Sequence, residues 1–291
     1  MTDIDKLAQR YPQKRVLITG ATSGLGESLA MIFAAANFRV AVASRTPAKV
    51  AATCEKVEKA GGSPLAITLD VNRLEDFDAA AKQVEEAWGG LDILINNAGI
   101  LTSGKVVDIG LEEWLGSIDT DLWGVIHGCR KFIPLLVNSG GGHVANIASA
   151  AGLLGVPDLA PYGVAKAGVV SLSEALAVEL SEMHIDVTVS CPTIFKSDLM
   201  ETSGAEAEMQ AGTTGEGLKA GMETTNITSD VVADHLLNAM VRRRMYSLPQ
   251  WDAKIQWFLS RMFPQTFRTL LSYLYRKRVW VFSTTEFSTT D

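Results

Sequence analysis

The stretch Val16-Leu-Ile-Thr-Gly20-Ala-Thr-Ser-Gly24-Leu-Gly26 decides the fold of this chain. Its apolar first half, Val16 to Thr19, is typical of a buried β-strand, and its second half is a glycine-rich turn. The segment Leu25 to Ala36 follows directly and predicts a helix. Glycines in this place let backbone N–H groups approach a diphosphate, and the positive end of the helix dipole adds to the attraction. The stretch predicts a nucleotide-binding turn, although a glycine-rich turn alone also occurs without a ligand.

Strand and helix patterns alternate along most of the remaining chain. Further strands are predicted at 38–44, 65–69, 91–95, 143–148, 185–190 and 245–248, and helices at 48–60, 73–88, 111–138 and 161–183. The strands are apolar without polar alternation, as expected when helices cover both faces of a parallel sheet. The predicted fold is an α/β fold, a doubly wound parallel sheet of the Rossmann type, in a single domain.

Composition limits the other possibilities. The 291 residues are 47% apolar and 20% charged, which excludes a disordered chain. The three cysteines and four histidines are scattered, so neither a disulfide framework nor a metal site is expected. The polar N-terminal segment is unlike a signal peptide, and no stretch approaches the roughly 18 apolar residues of a membrane span. We therefore expect a cytoplasmic protein.

The charge is distributed unevenly along the chain. Residues 1–240 carry 17 basic and 30 acidic side chains, whereas residues 241–291 carry 9 basic and 3 acidic ones, with 11 of the 21 aromatic residues. We expect an acidic catalytic, dinucleotide-binding domain at 1–248 and a basic, aromatic, helical tail at 249–291. The acidic body and a pI near 5.2 argue against nucleic acid as a partner.

Two segments need separate interpretations. Residues 201–226 are small, polar and glycine-rich, which is typical of a lid or of a disordered segment, and we expect a flexible lid over a substrate. The tail has helical patterns at 251–259 and 267–275, separated by Pro264. Three interpretations of its apolar face are open. The face packs on its own body or on a second subunit, or it contacts a membrane surface peripherally through 251–280, or it docks an acidic partner protein. We favour packing on its own body or on a second subunit.

Five motifs in order resemble the short-chain dehydrogenase/reductase family. They are the G-x-x-x-G-x-G turn, Asp70-Val71, Asn96-Asn97-Ala98-Gly99, Ser149 and Tyr162-Gly-Val-Ala-Lys166, and the resemblance covers residues 12–240. It implies the Rossmann fold and a nicotinamide cofactor. The residues implied to bind that cofactor are Gly20, Thr22, Ser23, Gly24, Leu25, Gly26, Asp70, Val71, Asn97, Ala98, Gly99, Tyr162 and Lys166.

Tyr162 and Lys166 are one helical turn apart, so their side chains lie on the same helix face. A Lys ammonium beside a phenol stabilises the phenolate and lowers a pKa that is about 10 in water. Tyr162 could then exchange a proton with an alcohol or a ketone. Ser149, at the end of a strand, could hydrogen-bond the substrate oxygen. The resemblance implies the same roles and adds that Lys166 holds a ribose hydroxyl.

One departure from the family pattern concerns the catalytic residues. Asp121 stands where the family has an Asn that helps to hold a water chain linked to the Lys. An ionised Asp cannot donate a hydrogen bond, and its charge favours retention of the Lys166 proton. We expect the proton relay to survive in altered form, with a shifted pH optimum.

A second departure lies after the sixth strand, where the family has P-G-x-x-x-T. Here Pro192 is followed by Thr193, and Ser197 takes the place of the final Thr. Pro192 and Ser197 are expected to meet the nicotinamide. Because Thr193 lacks the backbone freedom of Gly, the loop is expected to differ locally.

The end of the second strand indicates which cofactor is preferred. A carboxylate there would bind the adenosine ribose hydroxyls and repel a 2′-phosphate, but this chain has Ala43-Ser44-Arg45-Thr46. Ser44 and Arg45 can hydrogen-bond a phosphate. NADP(H) is therefore favoured over NAD(H).

The expected function is transfer of a hydride between NADP(H) and a secondary alcohol or ketone, with a bulky, apolar small molecule as substrate. The alternative is a nucleotide-binding regulatory or scaffold protein that docks a membrane or partner through its tail, and Asp121 keeps this alternative open. The resemblance implies a homodimer or homotetramer formed through the long helices.

Overall fold

The computed structural model describes residues 1–199 and 214–279, in which seven parallel strands form one sheet. The strands are β1 (Arg15–Thr19), β2 (Arg39–Ser44), β3 (Ser63–Thr68), β4 (Ile93–Asn96), β5 (Gly142–Ile147), β6 (Ile185–Ser190) and β7 (Tyr246–Ser247). They lie in the order β3-β2-β1-β4-β5-β6-β7. The predicted doubly wound Rossmann-type sheet is confirmed.

Helices cover both faces of the sheet. They are α1 (Asp3–Arg10), α2 (Gly24–Ala35), α3 (Pro47–Lys59), α4 (Leu74–Trp88), α5 (Leu111–Ile118), α6 (Gly124–Asn138), α7 (Ala160–Glu179), α8 (Thr214–Thr224), α9 (Ser229–Val241), α10 (Trp251–Met262) and α11 (Pro264–Arg276). Successive residues of β1 point to opposite faces: Leu17 joins the core under α4, α6 and α7, whereas Val16 and Ile18 join the core under α1, α2, α3 and α9. Both faces are buried, which explains the absence of polar alternation.

The strand order reverses between β1 and β4. The connections after these two strands therefore run in opposite directions, and a crevice lies between them at the carboxyl ends of the strands. Asn97, directly after β4, closes the floor of this crevice. Its amide donates hydrogen bonds to the carbonyl oxygens of Thr19, at 3.0 Å, and Gly20, at 3.1 Å. The glycine-rich turn is thereby held against the end of β4.

The helices differ from the helices predicted from the sequence in three places. The continuous helix predicted at 111–138 is interrupted by a π-helical turn at Asp119–Trp123. The segment predicted as a flexible lid contains helix α8, while residues 201–213 lie outside the described part of the chain. α8 forms because its Leu218 and Met222, one turn apart, pack against the cluster around Tyr162, a contact that polar composition does not reveal. Helices α1 and α9 were not predicted from the sequence.

The tail packs on the body through α10 and α11. The Trp257 ring lies 5.0 Å from the Tyr246 ring, and Phe267 is buried. Pro264 begins α11, as its fixed φ allows at a first helical position. Among the residues that the structure describes, no helix is both long and apolar enough to cross a membrane.

Candidate active site

A cavity of about 990 Å³ lies at the carboxyl ends of the strands. Of the predicted site residues, it is lined by Gly20, Thr22, Ser23, Gly24, Leu25, Ser44, Arg45, Asp70, Val71, Asn97, Ala98, Gly99, Asp121, Ser149, Tyr162, Lys166, Pro192 and Ser197. The fold thus brings together residues that are up to 177 positions apart in the chain. Gly26 is the exception, because it does not line this cavity.

Gly26 instead allows close packing inside the turn. A Cβ at this position would lie 2.2 Å from the carbonyl oxygen of Gly20, a distance too short for any residue other than glycine. Gly20 has a φ of +64°, a conformation that favours glycine. These two glycines shape the turn so that the N-terminus of α2 opens on the cavity.

The N-terminus of α2 fits an anionic group. Its N-cap residue, Ser23, makes no side-chain capping hydrogen bond, so the first backbone N–H groups keep their capacity to donate. The helix dipole places partial positive charge at the same point. A diphosphate bound there would receive the hydrogen bonds that a capping side chain does not provide.

Hydroxyl and basic groups surround the end of β2. The Thr22 hydroxyl donates a hydrogen bond to the Ser44 hydroxyl at 3.1 Å, and Arg45 follows on the cavity wall. Lys49, in the first turn of α3, lines the same cavity and was not predicted from the sequence. The short separation of Lys49 from Arg45 in the sequence would have been a usable signal.

The three catalytic candidates meet on one side of the cavity. Tyr162 and Lys166 are both buried on α7, and the Lys166 ammonium lies 5.5 Å from the centre of the Tyr162 ring. Ser149 follows β5, and its hydroxyl accepts a hydrogen bond from the Ala151 N–H at 3.2 Å. This arrangement presents a hydroxyl, a phenol and a cation to one region of the cavity.

Asp121 holds the Lys166 ammonium from the other side. Its Oδ1 lies 3.1 Å from Lys166 Nζ and accepts a hydrogen bond from the Ile100 N–H at 3.0 Å. Lys166 also donates to the carbonyl oxygen of Ile147, at 3.2 Å. Asp121 lies in the middle of the π-helical turn, a type of irregularity that is frequent at functional sites.

Burial has the largest single effect on the pKa values of Tyr162, Lys166 and Asp121. It raises the pKa of Tyr162, the charge of Asp121 raises that pKa further, and Lys166 and Ser149 lower it. The pKa of the phenol is therefore above its ordinary value, whereas the sequence analysis considered only the lowering by Lys166. Burial would lower the pKa of Lys166, but the charges of Asp121 and Tyr162 raise it overall. Burial raises the pKa of Asp121 against the influence of Lys166.

The loop after β6 is tied to the start of the tail. The Thr193 N–H donates to Oε1 of buried Gln250 at 3.0 Å, and the Thr193 hydroxyl donates to Asp252 at 3.5 Å. Thr193 therefore replaces the family's Gly at a position where its side chain contacts α10. Ser197 also lines the cavity, and its buried hydroxyl finds no hydrogen-bond partner among the described residues. A bound polar group such as a nicotinamide amide would satisfy this hydroxyl.

Asp158 joins α8 and α11 to the loop before Tyr162, and no sequence pattern indicated it. One carboxylate oxygen accepts hydrogen bonds from the N–H and the hydroxyl of Thr214, at 3.1 and 3.0 Å. The other accepts a hydrogen bond from the Tyr275 hydroxyl at 3.0 Å. Arg268 adds a hydrogen bond to the carbonyl oxygen of Gly155 at 3.1 Å. α8 and α11 are thus fastened over the end of the cavity.

The fold and the site define a class: a doubly wound nucleotide-binding protein with a Ser-Tyr-Lys group at the switch point of its sheet. The family model for short chain dehydrogenases matches residues 14–208. The chain belongs to the short-chain dehydrogenase/reductase family, a family of oxidoreductases.

Individual relatives agree with this membership. "Probable oxidoreductase EphD" from Mycobacterium tuberculosis is 29% identical over 259 residues, which are 87% of this chain and 44% of the relative. The chain therefore spans less than half the length of that relative. A short chain dehydrogenase/reductase from Burkholderia phymatum, solved with NAD, is 26% identical with a TM-score of 0.79, over 84% of this chain and 92% of the other. A short-chain dehydrogenase from Sphingobium yanoikuyae, solved with NADPH, is 26% identical with a TM-score of 0.72, over 87% and 94%.

Proposed function

We propose that this protein is an NADP(H)-dependent oxidoreductase that interconverts a secondary alcohol and a ketone. The observation that carries the proposal is the convergence of Ser149, Tyr162 and Lys166 on one side of the cavity. The same cavity also has features that fit a dinucleotide: an uncapped helix N-terminus, the Ser44 hydroxyl and the Arg45 guanidinium. A substrate carbonyl between these two regions would lie beside a proton donor.

The residues of the chain divide the chemistry between them. When bound, the nicotinamide supplies or accepts the hydride. The Ser149 hydroxyl orients the substrate oxygen by a hydrogen bond. The Tyr162 hydroxyl gives that oxygen a proton in ketone reduction and accepts the proton in alcohol oxidation. Lys166, held by Asp121 and the Ile147 carbonyl, remains protonated and stabilises the phenolate left on Tyr162.

The preference for NADP(H) rests on the end of β2. Ser44, Arg45 and Lys49 line the cavity there and offer one hydroxyl and two cations. An Arg side chain suits a phosphate because its fork of N–H donors matches the phosphate oxygens. No carboxylate occupies the Ala43–Thr46 stretch to bind ribose hydroxyls instead. A 2′-phosphate would therefore be attracted rather than repelled.

The substrate we propose is bulky and apolar. Part of the cavity is lined by apolar side chains from the segment after β4, the loop before α7, α8 and α11, namely Leu101, Leu159, Leu218, Met222, Phe267 and Leu271. A volume of about 990 Å³ exceeds the requirement of a small ketone even when part of it holds a dinucleotide. Apolar walls favour a ligand that brings a hydrocarbon surface out of water.

Turnover with purified protein tests this proposal. NADPH oxidation is measured with a panel of small, aromatic and polycyclic ketones, for the native chain and for Tyr162→Phe. Sustained turnover that Tyr162→Phe abolishes supports the proposal. Cofactor binding without turnover of any ketone, or of the matching alcohols with NADP⁺, would instead favour the nucleotide-binding scaffold.

A further inference from the structure

Helix α10 carries an exposed apolar stripe. Trp251, Ile255, Phe258 and Met262 are 73%, 48%, 58% and 57% exposed. Their spacing of four, three and four residues places them on one face of the helix. The opposite face holds Ala253 and Trp257 against the body, so the stripe faces away from the protein core.

The stripe is part of a concentration of exposed apolar side chains in the tail. Of the 19 large apolar side chains that are exposed among residues 1–199 and 214–279, eight lie within 251–279. Phe263, Leu270, Tyr273 and Val279 complete that set. Single exposed apolar residues are ordinary, but this density marks a surface that contacts an apolar partner.

The charges around the stripe identify the partner. Lys254 is exposed on α10 next to the stripe, whereas Arg261 of the same helix is paired with Glu174 of the body at 3.7 Å. Three further cations are exposed at the end of α11, namely Arg276, Lys277 and Arg278. Asp252 is the one acidic residue among residues 251–279. Large apolar side chains flanked by cations match the apolar layer and the anionic headgroups of a lipid surface. We propose that α10, with the end of α11, docks peripherally on an anionic lipid membrane.

A second copy of this chain fits the face less well. A twofold contact would bring the stripe of one copy onto the same stripe of the other, because such interfaces use one surface patch twice. Lys254 of each copy would then lie near the same cation of the other copy, with no exposed acidic residue of α10 to compensate it. A lipid surface bearing negative charge removes this repulsion.

Docking would also bring the cavity next to the membrane. Trp251 belongs both to the exposed stripe and to the cavity wall, and Phe267 and Leu271 of α11 line the same cavity. An apolar ligand dissolved in the bilayer would therefore have a short route to the cavity. The docking itself requires only the surface of α10 and α11 and does not depend on the proposed activity.

Vesicle co-sedimentation of the full chain tests the proposal. The lipids are phosphatidylcholine alone and phosphatidylcholine mixed with phosphatidylglycerol, and the variants are Ile255→Glu/Phe258→Glu and Val107→Glu. Neither Ile255 nor Phe258 lines the cavity, and Val107 is an apolar residue of the body that is 88% exposed. Size-exclusion light scattering and thermal unfolding of each variant report its oligomeric state and folding.

The native chain is expected to bind the anionic vesicles about tenfold more tightly than the neutral ones, and added salt is expected to weaken this binding. Ile255→Glu/Phe258→Glu should reduce the binding by about tenfold or more at unchanged thermal midpoint, whereas Val107→Glu should leave it intact. Absence of binding to anionic vesicles, equal binding to both lipids, or undiminished binding of the double variant would overturn the proposal. A dimer that the double variant loses, without vesicle binding, would show that the face joins two copies.

Discussion

The Lys166 ammonium lies 3.1 Å from the Asp121 carboxylate, and both side chains are buried beside the Tyr162 ring. This pair keeps a positive charge fixed under the phenol, but it also brings a negative charge that the family's Asn would not bring. The charge on Asp121 raises the pKa of both Tyr162 and Lys166. The ionisation of the proposed catalytic base therefore depends on Asp121.

Asp121→Asn is expected to move the pH profile of alcohol oxidation toward lower pH. Oxidation needs the deprotonated phenol, and its rate rises as the pH passes through the pKa of Tyr162. Removal of the negative charge lowers that pKa, so the rising limb of kcat/KM should begin at lower pH. Asp119→Asn, on the exposed side of the same π-helical turn, is the control. An unshifted limb for Asp121→Asn would show that its charge does not act on Tyr162.

Tyr162→Phe is expected to lower kcat by about 10²- to 10⁴-fold, because it removes the proton donor while keeping the ring. Ser149→Ala should lower kcat less if its role is to orient the substrate oxygen. Binding of NADPH, followed by fluorescence, should remain, which separates loss of chemistry from loss of folding. Tyr273→Phe, an exposed phenol on α11, is the matched control and should keep full activity. Equal activity of Tyr162→Phe would remove Tyr162 from the mechanism.

Arg45→Ala is expected to reduce the ratio of kcat/KM for NADPH to that for NADH by about tenfold or more, since hydrogen bonds to charged groups contribute about 1.5–3 kcal/mol. Lys49→Ala should act in the same direction, because Lys49 lines the same wall. Arg130→Ala, an exposed Arg of α6 away from the cavity, should leave the ratio unchanged. If the native chain used both cofactors equally well, the assigned 2′-phosphate site would be wrong.

Phe267→Ala is expected to lower the free energy of unfolding by about 3 kcal/mol, because it leaves a void where α11 packs over the cavity. It should also raise KM for a bulky ketone more than for a small one, since the lost ring belongs to the cavity wall. Phe258→Ala removes an exposed ring from the neighbouring helix and should change stability by less than about 0.5 kcal/mol. Equal urea midpoints for both variants would show that the tail contributes little to the fold.

Acid should destabilise the protein through His143. This side chain is fully buried in β5, with Nε2 2.9 Å from the Thr188 hydroxyl, and burial lowers its pKa to about 3. The unfolded chain takes up a proton near pH 6.5 and the folded protein does not, so stability is lost as the pH falls from there toward about 3. This single group contributes a slope of at most about 1.4 kcal/mol per pH unit. His143→Gln should reduce the slope of unfolding free energy against pH in urea titrations, and an unchanged slope would contradict the assignment.

The sequence alone predicted the sheet and many of the residues that line the cavity. The turn at Gly20–Gly26 and the strand Val16–Thr19 are recognisable because their geometry depends on neighbouring residues: glycine content, apolar runs and the strand–helix order. Tyr162 and Lys166 are one turn apart on a helix, so their proximity could also be predicted. The expected lowering of the Tyr162 pKa was incomplete because burial acts through the whole surrounding fold.

Other features were decided by the tertiary structure. Helix α8 is rich in glycine and small residues, and it is stabilised by the packing of Leu218 and Met222 against the cluster around Tyr162. Asp158 reaches Thr214 and Tyr275, which are 56 and 117 residues further along the chain. The Thr193 N–H donates to the side chain of Gln250, which is 57 residues further along the chain, because the start of the tail packs beside the loop after β6. Helices, strands and turns can be predicted because each depends on the backbone geometry of a few neighbouring residues. Contacts between residues that are 56 to 117 positions apart depend on how complete elements pack, and only the folded chain brings such residues together.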